Sequence, residues 1–202
     1  MSSLAYASIF FRSQFLASLP YPTSDFSNQI IIVTGSNTGL GLEAVRHFIR
    51  LNAANVIMAV RTVSKGEAAA DSIFHSSHAE RSRIEVWPLD LTSYDSVKAF
   101  GERVQRLERL DAVVSNAGIM THKWETAEGN ESHITVNVVS PVLLALLVLP
   151  KLRESAKIFG MRGRLTFNGS DLHYIAQFKE QHASESLFDA LNDKSYWEMP
   201  DR

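Results

Sequence analysis

The stretch Ile30-Ile31-Ile32-Val33-Thr34-Gly35-Ser36-Asn37-Thr38-Gly39-Leu40-Gly41-Leu42-Glu43 constrains the fold more than any other part of the chain. Four β-branched apolar residues in a row suit a strand buried on both faces, as in a parallel sheet. They run into a glycine-rich turn, and the turn runs into Leu42, Val45, Phe48 and Ile49, spaced as one face of a helix. Gly35 lets the chain turn sharply off the strand. Gly39 and Gly41 leave no side chain between backbone and ligand, or between helix and sheet. The first helical N–H groups then face open space with the positive end of the helix dipole behind them, and a pyrophosphate fits there. A plain glycine-rich connection is the alternative. The strand before, the helix after and Thr34 at the strand end favour a dinucleotide site.

The rest of the chain supports a sheet built on that unit. Residues 1–28 form a leader, closed by a loop containing Pro20, Pro22, Ser24, Asp25 and Asn28. Strands are expected at about 29–34, 55–60, 84–89, 110–115 and 163–167. Helices are expected at about 39–51, 64–77 (with Ala68, Ala69, Ile73 and Phe74 available for the apolar face) and 131–149, with a kink or a new helical start at Pro141. Arg61 ends the second strand, where a dinucleotide fold meets the adenosine ribose. An arginine there can pair with the 2′-phosphate of NADP, helped by Lys65, or it can simply face water. Asp90-Leu91 ends the third strand, where ligands gather in open α/β sheets, although Asp90 could equally cap the next helix. Asn116-Ala117-Gly118 follows the fourth strand, and its small residues let the backbone approach a cofactor closely.

Composition narrows the function classes. A chain of 202 residues, 45% hydrophobic, can bury one real core. With no cysteine there is no disulfide framework and no thiolate metal site, so a cytoplasmic setting is the default. A net charge of −2 argues against a nucleic-acid surface as the main function. Arg103, Arg106 and Arg109 read as a solvated helix face. The apolar run Val138–Pro150, broken by Ser140 and Pro141, is too short for a transmembrane segment and suits a buried helix. Leu4–Leu19 is moderately apolar. It lacks a basic residue ahead of its apolar part, so an amphipathic helix lying on the domain is expected rather than a secretion signal.

Thr-Gly-x-x-x-Gly-x-Gly at Thr34–Gly41, with Asn116-Ala117-Gly118 after the fourth strand, resembles the compact branch of the short-chain dehydrogenase/reductase family. The resemblance covers nearly the whole chain. It implies an α/β fold, a doubly wound parallel sheet of Rossmann type with strand order 3-2-1-4-5, in a domain spanning 29–202 that lacks the last strands of the family fold. It implies that Gly35, Asn37, Thr38, Gly39, Leu40, Gly41, Arg61, Lys65, Asp90, Leu91, Asn116, Ala117 and Gly118 bind NADP, with Asp90 beside the adenine ring. It also implies that Asn137, poorly suited to a helix interior, holds a water in a proton relay, and that no metal takes part.

Asn168-Gly169-Ser170 departs from the family pattern: Gly169 stands where the first of two serines is usual, and Ser170 stands where the second would orient the substrate carbonyl. Ser170-Asp171-Leu172-His173-Tyr174, with the following insertion Phe178–Trp197, resembles a subset related to retinol dehydrogenases and common among fungal accessory reductases. In that subset an arginine like Arg202 immediately precedes the catalytic Tyr-x-x-x-Lys, so the chain is expected to stop just short of it. Of the five tyrosines only Tyr94 has a lysine four residues on, at Lys98. That pair comes before the fourth strand and reads as a chance match. The implied function is hydride transfer between nicotinamide and a small carbonyl or alcohol substrate, within secondary metabolism, in full-length relatives that form homo-oligomers through the Glu131–Leu149 helix. The alternatives are a catalytically dead NADP-binding remnant and an interaction protein pairing with a full-length relative.

Overall fold

The computed structural model describes residues 3–77, 80–174 and 176–197. They fall into two compact units, one made of Thr23–Ile119 and Thr126–Asn168, the other of Met1–Pro22, Met120–Glu125 and Gly169–Arg202.

The first unit holds the sheet. After helix α1 (Ser3–Phe15, in the second unit) the chain runs β1 (Ile30–Thr34), α2 (Gly39–Arg50), β2 (Asn55–Val60), α3 (Val63–Ser77), β3 (Ile84–Pro88), α4 (Tyr94–Gln105) and β4 (Ala112–Ser115). A short hairpin, β5 (Thr126–Ala127) and β6 (Asn130–Glu131), precedes α5 (Ser140–Phe159) and β7 (Arg164–Phe167). The five long strands form one parallel sheet in the order β3-β2-β1-β4-β7. This is the expected doubly wound α/β architecture, the hairpin alone making its fifth strand the seventh in sequence.

The strands alternate between two cores. Ile32, Ile57, Ala59 and Val113 face a cluster with Phe100 and Val104 of α4 and Leu144, Val148 and Leu152 of α5. Ile31, Val33, Val56, Met58 and Val60 face Val45 and Ile49 of α2 and Ala69, Ala70 and Ile73 of α3. Strands covered on both faces must be apolar throughout, which is why β1 reads as an unbroken β-branched run. The buried face of α3 also differs from the sequence reading. Gly66 and Ala70 are buried, whereas Ala68 and Phe74 are exposed. A Cβ on Gly66 would lie 2.6 Å from Val86 Cγ1, so the helix sits too close to the sheet there for any side chain.

Helix α5 differs most from expectation. A π-helical turn, Ile134–Val139, leads into α5, which continues through Pro150 to Phe159 instead of ending near Leu149. Proline removes one helical hydrogen bond, but the residues beyond it are held: Leu152 is buried in the core, and the Ser155 hydroxyl accepts the backbone N–H of Leu110 at 2.8 Å. By length and composition Ile134–Phe159 could cross a membrane. Its buried stripe of Leu144, Val148 and Leu152 packs on the sheet.

In the second unit, α1 leaves Ile9, Phe10, Phe11 and Phe15 exposed. Its Tyr6 hydroxyl donates to Asp171 at 3.0 Å, in the 3-10 turn Asp171–Tyr174. Trp124 and Trp197 meet edge to face at 6.1 Å. A short helix, α6 (Leu187–Leu191), is capped by the Ser186 hydroxyl. The Met199-Pro200-Asp201-Arg202 tail, expected to lead into a catalytic pair, lies outside the described residues.

Candidate functional site

Parallel strands bring all their carboxyl ends to one edge of the sheet, and the loops leaving them enclose a cleft of about 350 Å³. Gly35, Asn37 and Thr38 line it from β1, Ala59 and Arg61 from β2, Leu89 to Thr92 from β3, and Asn116 to Ile119 from β4, with Val136 from the π turn.

The glycine-rich turn is built by its neighbours. Gly35 has φ of +64°, and a Cβ there would lie 2.8 Å from Ala117 Cα. The Thr34 hydroxyl accepts the backbone N–H groups of Asn116 at 3.0 Å and Ala117 at 2.9 Å, tying the end of β4 to the end of β1. The Asn116 side-chain amide donates to the carbonyls of Thr34 at 3.0 Å and Gly35 at 3.4 Å. Gly41 is small for the same reason: its Cβ would come within 2.5 Å of that amide nitrogen. Gly39 has φ of +58° and only open space where a Cβ would be. Thr38 makes no side-chain cap bond, so the first-turn N–H groups of α2 keep their donor capacity.

Arg61 lines the cleft, and Lys65 lies four residues on in α3, outside the lining. Both are exposed, and among the described residues neither makes an ion pair. Asp90 does not cap α4, a role taken by Ser93. Its carboxylate accepts the N–H of Thr92 at 2.9 Å and the hydroxyl of Thr92 at 2.7 Å, and its own N–H donates to the Ser96 hydroxyl. These bonds fix the loop that carries Leu91 into the cleft.

Asn137 projects from the π turn, and its amide grips Ile119: Oδ1 accepts the Ile119 N–H and Nδ2 donates to the Ile119 carbonyl. A Cβ on Gly118 would lie 3.1 Å from the same Oδ1. One donor and one acceptor of the amide are thus committed to the loop after β4. Leu40 is 79% exposed, and neither it nor Gly39 nor Gly41 lines the cleft. Ser170 belongs to the second unit, where its hydroxyl accepts the Leu172 N–H at 3.2 Å. Tyr94 and Lys98 stand apart from the lining. The Tyr94 hydroxyl accepts from Asn130, and Lys98 pairs with Asp95. Thr92, Ile119 and Val136 were not singled out by sequence. Thr92 directly follows Asp90-Leu91 and Ile119 follows Asn116-Ala117-Gly118, so adjacency to those motifs was the available signal.

Comparison with known proteins agrees with this fold. Residues 29–164 match the family model described as short chain dehydrogenase. The short chain dehydrogenase/reductase dmxR8 of Cryptosporiopsis sp. (strain 8999) is 46% identical over 188 residues, covering 92% of this chain and 58% of that protein. The short chain dehydrogenase atnD of Emericella nidulans is 46% identical over 201 residues, covering 98% and 63%. The chain therefore spans about three-fifths of the length of these curated relatives. Among solved structures, an uncharacterized protein from Mycobacterium paratuberculosis superposes with a TM-score of 0.64 at 28% identity, over 85% of this chain and 59% of that one. A short-chain dehydrogenase from Sphingobium yanoikuyae, solved in complex with NADPH, has the same fold, with a TM-score of 0.62 at 23% identity over 83% of this chain and 61% of that one. With its sheet order, its glycine-rich turn and two-thirds of its length matched by the family model, the chain belongs to the short chain dehydrogenase family.

Proposed function

We propose that this chain carries the NADP-binding part of an oxidoreductase acting on a small carbonyl or alcohol substrate. The observation that carries the reading is the cleft across four strand ends with an unpaired Arg61 at its rim. The residues present fit such a group. The Gly35–Gly41 turn has open space at Gly39 and uncapped N–H donors behind it, as a pyrophosphate requires. Arg61, with Lys65 nearby, offers a guanidinium to a 2′-phosphate, where an acidic residue would serve a 2′-hydroxyl. Asp90 and Leu91 flank the adenine, and Asn116-Ala117-Gly118 brings bare backbone against the cofactor.

The bound cofactor supplies or accepts the hydride. Ser170 orients the substrate oxygen by a hydrogen bond, and Asn137 supports the proton path. Neither is itself an acid suited to protonate a carbonyl oxygen at neutral pH. Tyr94 and Lys98, which have the spacing of an acid and its activating ammonium, lie on α4 outside the cleft lining. Their placement favours a second reading for these 202 residues alone: dinucleotide binding without turnover, with the tyrosine and lysine supplied by a longer chain. A cytoplasmic setting rests on the cysteine-free sequence, and a place in secondary metabolism rests on the family subset alone.

The test is titration of the 202-residue chain with NADPH and NADH, followed by assay against a panel of small ketones. Tighter binding of NADPH supports the cofactor assignment, and tighter binding of NADH sinks it. Binding without turnover supports the second reading.

A further inference from the structure

We infer that Asn168 is a positioning residue that locks the glycine-rich turn from two strands away; its bearing on cofactor affinity rests on the NADP-binding reading above. Asn168 directly follows β7 at the edge of the sheet, and its backbone N–H continues the ladder to the Ser115 carbonyl at 2.9 Å. Its side-chain amide donates to Asn116 Oδ1 at 2.8 Å.

The orientation of Asn116 follows from its partners. Its Nδ2 faces two carbonyls, Thr34 O and Gly35 O, which can only accept. Its Oδ1 therefore points toward β7 and needs a donor, which Asn168 supplies. The two amides form a chain from the end of β7, across the end of β4, to the carbonyl of Gly35. Gly41 leaves the room this chain needs, since a Cβ there would displace the Asn116 nitrogen. Asn116 cannot turn over while Asn168 donates to it. Once Asn168 becomes an acceptor, Asn116 faces oxygen on one side or the other, and the Gly35 turn loses a brace. Asn168 also stands two residues before Ser170 in the chain, so the brace joins the turn to the strand from which the Ser170 segment departs.

The test uses the 202-residue chain and Asn168→Asp, which keeps the shape and removes the donor, with Asn168→Gln restoring an amide donor. Hydrogen exchange at the Gly35–Gly41 turn is expected to rise in Asn168→Asp, with α3 unchanged, and to return toward wild type in Asn168→Gln. NADPH affinity is expected to fall about tenfold in Asn168→Asp. In an Asn116→Ala background the same substitution should change neither quantity, because the relay is already cut. Unchanged exchange at the turn in Asn168→Asp overturns the inference, as does a rise spread evenly over the whole sheet. If wild type binds neither NADPH nor NADH, the cofactor reading fails, and the exchange measurement still decides the role of Asn168.

Discussion

Asn137 holds Ile119 by both ends of its amide, accepting the backbone N–H at 2.8 Å and donating to the carbonyl at 2.9 Å. One side chain thus does for the loop after β4 what a neighbouring strand does for a strand. Asn137→Ala removes both bonds at an exposed position. The expected cost is about 1–2 kcal/mol of stability. The larger effect should be local, seen as faster amide exchange at Ile119, and an unchanged rate there would show that the loop holds itself.

The three glycines of the turn should respond differently to alanine. In Gly35→Ala the new Cβ meets the Ala117 backbone at 2.8 Å in a positive-φ conformation, and about 2–4 kcal/mol of destabilisation is expected. Gly41→Ala should cost about 2–3 kcal/mol through Asn116 and the Gly35 carbonyl. Gly39→Ala has open space and only its φ to strain it, so about 1 kcal/mol is expected. If the pyrophosphate lies over Gly39, that mildest variant should nevertheless lose NADPH affinity beyond detection. Urea unfolding and cofactor titration of the three proteins give both rankings.

Arg61→Ser should weaken NADPH binding at least tenfold and leave NADH within about twofold, since only the 2′-phosphate loses its partner. Equal losses for both cofactors would mean that Arg61 shapes the cleft without reading the phosphate.

Asp25 gives a pH dependence with a definite sign. The hydroxyl of Ser27, the amide of Asn52 and the backbone N–H of Ser27 hydrogen-bond its carboxylate and hold its pKa below the ordinary value. A carboxyl with a lowered folded-state pKa contributes stability above its unfolded pKa, and that contribution is lost as the pH falls through the folded value. Asp25→Asn should therefore lower stability slightly at neutral and alkaline pH, where the carboxylate contributes, and remove a small part of the loss on acidification. Urea midpoints of both proteins at neutral and acid pH check this.

The sheet was readable because its signals are local. The Ile30–Val33 run, the glycine spacing and the small residues at Asn116–Gly118 each announce themselves within a few positions. What the sequence hid depends on distant partners. The end of α5 was misjudged because Pro150 is a strong local stop, while the residues that carry the helix past it, Leu152 and Ser155, are held by the core and by Leu110. The apolar face of α3 was misread because Ala68 and Ala70 look alike in sequence, and the close approach at Gly66 decides which faces the sheet. The bond from Asn168 is not legible in the sequence, since its partner Asn116 lies 52 positions away.

The π turn at Ile134–Val139 has a consequence for how this region can vary. Such a turn holds one residue more than the α-helical turn it replaces. Deleting one residue there can therefore return an ordinary α-helical turn, with Leu144, Val148 and Leu152 still facing the sheet, while Asn137, which lies within the turn, would be drawn away from Ile119. Deleting one residue from the regular helix beyond, where no surplus exists, would rotate everything downstream by about 100° about the helix axis and swing those side chains off the sheet. Length is thus under tighter constraint within α5 than in the turn ahead of it.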